Sequence, residues 1–113
     1  CELMQPAETA FRQELDAIRN WGIPRIPLLH NAQLCLCNDS DEIKKQLVMQ
    51  LTHPVRWTQT VRVLIDDFDV GLIVECGPGR TLKGLNRKID SSISTLSLSV
   101  ESERVGALGK IEE

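Results

Sequence analysis

The run from Leu72 to Cys76 constrains the fold more than any other segment of this chain. It is nearly continuous, apolar and β-branched, which is typical of a strand covered on both faces of a parallel sheet. A turn follows at Gly77-Pro78-Gly79, and three apolar residues then recur at helical spacing, namely Leu82, Leu85 and Ile89. This strand, turn and helix predict an α/β fold, with a mostly parallel sheet flanked by helices.

Three further helices are predicted earlier in the chain. The first has an apolar stripe from Leu3 to Ile18 and ends near Asn20. The second begins at a capping box, with Asp39 as N-cap and Glu42 three residues later; its predicted buried side is Ile43, Leu47, Val48 and Leu51. The third is expected to open at Pro54, where a missing N–H costs nothing, and its inward stripe is Val55, Thr58, Val61, Ile65 and Phe68.

Two more strands complete the pattern, at residues 26–30 and around Leu96, Leu98 and Val100. From Glu101 onward the pattern fades into a charged tail. A parallel sheet of only three strands buries little apolar surface and leaves two edges with unpaired backbone groups. The chain also enters its first helical pattern directly from Cys1. We therefore expect these 113 residues to be one piece of a larger domain, cut at Cys1 and not a self-sufficient enzyme.

Composition excludes several function classes. The net charge is −3, from 13 basic and 16 acidic residues, so no overall field favours nucleic acid or an anionic membrane. No apolar run approaches the roughly 20 residues that span a bilayer. The four cysteines are Cys1, Cys35, Cys37 and Cys76; their spacing predicts neither a zinc site nor a disulfide framework, and favours reduced thiols. We expect no metal and no cofactor.

Individual chemical groups give weak signals from the residues alone. The Gly77-Pro78-Gly79 turn before a helix is compatible with phosphate binding, but it lacks the spacing of known phosphate motifs, so a simple turn is favoured. Cys76 is predicted to be a core residue, and His53 a partly solvated capping residue. His30 ends a predicted strand and has no obvious partner in sequence. The acidic cluster of Asp66, Asp67 and Asp69 is best explained as a solvated helix end.

A basic stripe is predicted on the helix after the turn. Arg80, Lys83 and Arg87 fall on one helical face. Such a stripe is suited to an acidic partner or a phosphate. From composition alone, an ordinary solvated face is the stronger interpretation.

Four segments together resemble the malonyl-CoA:acyl carrier protein transacylases. They are residues 3–7 (LMQPA), 26–31 (IPLLHN), 50–57 (QLTHPVRW) and 75–85 (ECGPGRTLKGL), in the order and spacing of that family from about Leu3 to Leu98. The resemblance implies the C-terminal part of an α/β-hydrolase-like large subdomain at residues 1–100, followed by a tail at 101–113. His30, in place of a common Asn, and the Cys35-Leu36-Cys37 segment depart from the family pattern.

The resemblance also implies a chemistry. The family transfers malonyl from coenzyme A to the phosphopantetheine thiol of acyl carrier protein, by a ping-pong mechanism with a serine nucleophile and a histidine base. The serine lies upstream of this chain, and the histidine falls immediately before Cys1. Gln50 matches the residue whose backbone carbonyl orients that histidine. The chain alone should therefore be inactive.

The implied partners are malonyl-CoA, acyl carrier protein and the missing N-terminal part of the same domain. Arg80, Lys83 and Arg87 become candidates for contact with the carrier protein, and the Gly77-Pro78-Gly79 turn becomes a structural one. A cytoplasmic monomer is expected. Two alternatives stay open: an acyltransferase-domain fragment of a polyketide synthase, and a non-catalytic phosphate-binding α/β module.

Overall fold

The computed structural model describes residues 1 to 112, and these residues form two compact units. The first unit extends from Cys1 to Thr60, and the second begins at Val61. Each unit has its own secondary structure and its own buried residues, so the two are described separately.

The first unit begins with a helix, as the apolar stripe predicts. One 3₁₀ turn at Glu2–Met4 leads into α1, Gln5–Ala17. The first turn of α1 contains Pro6, where a missing N–H is tolerated. Leu15 is the buried residue of this helix, and its carbonyl accepts a hydrogen bond from the Trp21 indole at 3.4 Å. The chain leaves the helix at Ile18 in an extended conformation.

Helix α2, Ser40–Met49, packs against α1. The predicted N-cap is confirmed, because the Asp39 carboxylate accepts the N–H of Glu42 at 3.3 Å. The Glu42 side chain instead accepts a hydrogen bond from Gln46 at 3.2 Å. Of the predicted apolar side of α2, Ile43 and Val48 are buried. The fully buried Gln46 lies among them, a polar residue that hydrophobic periodicity does not predict.

The predicted strand at residues 26–30 is wrong. This segment makes a single antiparallel bridge, between Leu29 and Leu36, and Ile26 is 77% exposed. Pro27 cannot donate to a ladder. Leu34 has a φ of +51°, a left-handed conformation that folds the chain back after a few residues. The result is an irregular loop where a strand was expected.

Helix α3, Trp57–Asp66, begins three residues later than predicted. Residues 54–56 are irregular, and the helix ends at Asp66, so Val55 and Phe68 of the predicted stripe lie outside it. Both are exposed. Val61 is fully buried, as predicted, and its neighbour Thr60 is also buried.

The second unit contains a parallel β-α-β arrangement. Strand β1, Leu72–Glu75, pairs in parallel with β2, Ser94–Ser97, with Leu72 opposite Ser94 and Glu75 opposite Ser97. Helix α4, Thr81–Ile89, connects them. The fold class is thus confirmed: an α/β piece with a parallel sheet and helices. Two strands, rather than the three predicted, are present in residues 1 to 112.

Helix α5, Glu101–Glu112, occupies the segment predicted to be a charged tail. Glu101 and Glu103 lie in its first turn and Lys110 in its last, which suits the helix dipole at both ends. Its apolar residues are sparse, and Ala107 is the buried one, so hydrophobic periodicity gave little signal. The division of the chain at residue 100 stays a prediction.

Candidate functional site

A buried carboxylate organises the second unit. Glu75 ends β1 and is 5% exposed. Its two carboxylate oxygens accept the N–H groups of Leu82 and Lys83, each at 3.0 Å. These N–H groups belong to the first turn of α4, where they have no partner within the helix. A side chain from the strand therefore caps the helix that follows it, across the Gly77-Pro78-Gly79 turn.

This cap decides between the two interpretations of the turn. A phosphate at this place would need the free N–H groups and partial positive charge of the α4 N-terminus. The Glu75 carboxylate already uses both of the N–H groups that face it. The turn is therefore structural, as the resemblance implied, and phosphate binding there is not favoured.

Two serines from the end of β2 and just after it form hydrogen bonds to the same turn. The hydroxyls of Ser97 and Ser99 donate to the carbonyl oxygen of Gly79, at 2.7 and 3.0 Å. Gly79 has a φ of +87°, which glycine adopts without the penalty of a Cβ. These late serines, unremarkable in sequence, thus serve the fold.

Lys83 and Arg87 of the predicted basic stripe lie on α4, and the three members of the stripe differ in their contacts. Arg80 precedes the helix at its N-cap position, and Arg87 is exposed in the last turn. Lys83 forms an ion pair with Glu103 of α5, and this interaction lowers the pKa of the Glu103 carboxyl. Lys83 is therefore held in place, whereas Arg80 and Arg87 make no ion pair among the described residues.

A shallow cavity of about 280 Å³ adjoins this stripe. Its lining combines the two cations Lys83 and Arg87 with hydroxyl and apolar side chains from the segment around the start of β2, namely Ser91, Ile93, Ser94, Thr95 and Leu96. The cations and hydroxyls can donate to an anionic group.

Gln50 lies at the C-terminal end of α2. It is exposed, and its N–H donates to the Gln46 carbonyl at 3.1 Å. The last carbonyls of a helix lack partners within the helix, so the carbonyl of Gln50 is of the kind that can accept an external N–H. The amino group of Cys1 donates to the carbonyl of Thr52 at 3.2 Å. Cys1 and the segment just after α2 are thus in direct contact.

His53 caps α2 rather than the entrance of α3. Its Nδ1 lies 2.8 Å from the Met49 carbonyl oxygen, which can only accept, so Nδ1 carries the proton. Thr52 Oγ1 is 3.1 Å from the same nitrogen. Because Nδ1 is protonated, it cannot remove a proton from Thr52, and this pair is no nucleophile–base pair.

His30 is a buried residue of the first unit, at 5% exposed. Burial lowers its pKa, and the nearby Glu42 carboxylate offsets part of that effect. Its Nε2 has no hydrogen-bond partner among the described residues. Burial therefore favours the neutral imidazole, and the His30 side chain is almost entirely removed from solvent.

The other candidate residues lie at the surface. Cys76 is exposed directly after β1, which corrects its predicted place in the core. Asp66, Asp67 and Asp69 are exposed around the end of α3, in agreement with a solvated helix end. All four cysteines are free thiols.

Comparison with known proteins identifies the family. No protein-family model matches the chain. The malonyl CoA-acyl carrier protein transacylase of Haemophilus influenzae is 35% identical over 99 residues, 88% of this chain and 31% of that protein. The Escherichia coli K12 enzyme is 32% identical over 108 residues, 96% of this chain and 34% of that protein.

Solved structures give the same answer. The transacylase from Xanthomonas oryzae superposes with a TM-score of 0.86 at 33% identity, over 96% of this chain and 34% of that one. The chain belongs to the malonyl CoA-acyl carrier protein transacylase family. A second similar structure is a type II PKS acyl-carrier protein in complex with its malonyl-transacylase, with a TM-score of 0.85 at 34% identity, over 97% of this chain and 35% of that one.

The match to the transacylases has a definite extent. This chain spans about a third of the length of the relatives that it matches. In the part of the chain that the structure describes, no helix is long and apolar enough to cross a membrane.

Proposed function

We propose that this chain forms the C-terminal part of the large subdomain of a malonyl-CoA:acyl carrier protein transacylase. The observation that carries the proposal is the match of nearly the whole chain to one third of transacylase structures. The complete enzyme would move malonyl from coenzyme A to the phosphopantetheine thiol of acyl carrier protein in fatty-acid synthesis. We further propose a cytoplasmic monomer.

The proposed role of this part is to support catalysis rather than to perform it. Acyl transfer by this route needs a nucleophile with an adjacent base. Ser97 and Ser99 donate to Gly79, His53 donates through Nδ1 to Met49, and His30 is buried. None of these four groups thus forms a nucleophile–base pair, so we expect the 113-residue chain alone to transfer no malonyl.

Gln50 is the proposed exception, acting through its backbone. In the family, the carbonyl at this position accepts a hydrogen bond from the catalytic histidine, which fixes its tautomer and orientation. The contact between Cys1 and Thr52 supports this role, because a residue directly before Cys1 would lie close to the end of α2. A carbonyl acts at this position whatever side chain it carries.

A transfer assay tests the proposal. The chain alone is compared with a chimera in which it replaces the matching third of the Escherichia coli relative, using malonyl-CoA and holo acyl carrier protein. We expect malonyl on the carrier protein, seen by mass spectrometry, only with the chimera. Transfer by the chain alone would show that it contains its own nucleophile. A cooperatively folded chimera without any transfer would overturn the assignment.

We also propose that Arg80, Lys83 and Arg87 contact the acidic carrier protein. The similar structure that contains a carrier protein in complex with its malonyl-transacylase supports a protein partner for this family. Since Lys83 is paired with Glu103, Arg80 and Arg87 are the members available to a partner.

Charge reversal in the chimera tests this surface. R80E and R87E together should raise the KM for carrier protein several-fold at low salt, since like charges would then repel and salt screens such effects. The KM for malonyl-CoA should change less. R25E and K45E together, an equal charge change at two exposed positions of the first unit, are the matched control. Equal carrier-protein KM values for R80E/R87E and R25E/K45E would remove Arg80 and Arg87 from the proposed interface.

The two alternatives are not favoured. The relatives are named as transacylases across several bacteria, not as domains of multidomain synthases. The phosphate-binding module needs the α4 N-terminus, where Glu75 accepts two of the free N–H groups.

A further inference from the structure

Two cysteines in the loop before α2 lie side by side. Cys35 and Cys37 have their sulfur atoms 3.2 Å apart. Residues two apart in an extended segment point to the same side, and the bridge between Leu36 and Leu29 holds this segment in place. The proposed transacylase function uses neither thiol.

The two thiols differ in access. Cys37 is 5% exposed, whereas Cys35 is half-buried. Burial, the adjacent Cys35 sulfur and the carboxylates of Glu42 and Asp39 raise the pKa of Cys37 to about 11. An external reagent therefore meets Cys35 first, and Cys37 is available mainly to a sulfur atom already beside it.

We propose that Cys35 and Cys37 are a redox-active dithiol, which closes to an intramolecular disulfide by exchange with a small-molecule disulfide of the glutathione class. The two sulfur atoms lie 3.2 Å apart, against about 2.05 Å in a disulfide, so closure requires the sulfurs to approach by about 1.2 Å. The site is a modification site in the loop that leads to the Asp39 cap of α2.

The exchange has two steps. Cys35 loses its proton, and its thiolate attacks one sulfur of oxidised glutathione; the glutathione S–S bond breaks, and one glutathione thiolate leaves. Cys37 then loses its proton and attacks Cys35 Sγ, which expels the second glutathione thiolate. The two released thiolates take up the two protons. Two cysteine thiols are oxidised by two electrons, and one glutathione disulfide is reduced to two thiols.

The other two cysteines provide an internal comparison. Cys1 and Cys76 are exposed, and neither has another cysteine within sulfur contact among the described residues. Each can form a mixed disulfide with glutathione, but no second thiol displaces it. Exposure alone thus predicts glutathione adducts at these two positions, and pairing predicts ring closure at Cys35 and Cys37.

Peptide mass spectrometry tests the proposal on the folded protein as the cell makes it. After incubation with oxidised glutathione and blocking of remaining thiols, trypsin releases residues 26–44 as one peptide with both cysteines. We expect that peptide two hydrogens lighter and free of glutathione, while the Cys76 peptide carries an adduct. In C37S, the adduct on Cys35 should accumulate at least about tenfold over wild type, because the resolving thiol is gone.

A second variant, C35S, checks that the protein in the test is folded. In C35S, Cys37 should react more than about tenfold more slowly than Cys76, because it is buried, and urea should abolish that difference. Equal adducts on Cys35 in wild type and C37S would overturn the proposal. So would a reduced Cys35/Cys37 pair in a sample whose Cys76 is fully modified. Because the experiment measures thiol modification, its result does not depend on whether the protein transfers malonyl.

Discussion

The two units of the chain treat their buried polar groups differently. From Val61 onward, Glu75, Asn86 and Ser97 are buried, and each has hydrogen-bond partners inside the same unit. Between Cys1 and Thr60, His30 Nε2 and Gln46 Oε1 are buried without a partner. Buried polar atoms in native proteins are nearly always paired. The buried polar groups named for the second unit are thus paired within that unit, whereas two buried polar atoms of the first unit have no hydrogen-bond partner among the described residues.

The largest effect on this difference between the units is expected when the carboxylate of Glu75 is removed. E75Q leaves one acceptor oxygen and turns an amide donor towards an N–H group of α4. Since hydrogen bonds to a buried charge are worth more than neutral ones, we expect a loss of about 2 to 3 kcal/mol in the free energy of unfolding. Urea denaturation measures it, with E14Q on the exposed side of α1 as control. Equal midpoints for the two variants would show that the cap contributes little.

A smaller effect is expected between α4 and β2. Asn86, fully buried, donates to the Thr95 hydroxyl at 3.1 Å. N86L leaves that hydroxyl without this donor, and T95V removes the acceptor. Each should cost about 1 to 2 kcal/mol, and the double variant should cost about 1 kcal/mol less than the sum. Strict additivity of the two unfolding free energies would exclude a coupled pair.

The smallest effect concerns His30 in the first unit. Burial lowers the pKa of its imidazole below 6.5, so the folded state disfavours the proton that the unfolded state accepts. Its contribution to stability is full above pH 6.5 and is lost as the pH falls through the folded-state pKa. H30N should make unfolding free energy less dependent on pH below 6.5. The exposed His53 supplies the control variant H53N, and an unchanged slope in H30N would refute this account.

Sequence patterns predicted the elements whose signals are local. Three examples are the apolar stripe of α1, the Asp39 cap of α2 and the continuous run of β1. In each of them, the residues that give the signal are close together in the sequence. The α3 boundary was wrong because Pro54 is compatible with a helix start but does not require one. The strand predicted at residues 26–30 was wrong because an apolar run alone cannot specify a partner strand.

The polar interior of the second unit could not be predicted in the same way. Hydrophobic periodicity assigned Leu85 to the core of α4, but Leu85 is 41% exposed and its neighbour Asn86 is buried. Asn86 is tolerated there because Thr95 accepts its hydrogen bond, and that contact depends on the pairing of β2 with β1. The hydrogen bonds of Glu75 likewise connect residues on either side of a turn. Its one local sign is an acidic residue at the end of an apolar strand, directly before a glycine-rich turn.

The candidate site was predictable to a similar, limited extent. The stripe of Arg80, Lys83 and Arg87 follows from helical spacing, yet its division by the Lys83–Glu103 pair requires α5, a helix with little periodic signal. The nearness of Cys35 to Cys37 follows from their spacing in an extended segment. Their unequal burial depends on how the loop packs.

The Glu75 cap also bears on how this turn could change during evolution. Strand–glycine turn–helix units elsewhere gain nucleotide binding by offering bare amides to a phosphate. Here the chain supplies its own resident anion, so substitutions within the turn that mimic a phosphate loop would still meet an occupied helix end. Acquiring such a function would first require the loss of Glu75 and the stability that it contributes.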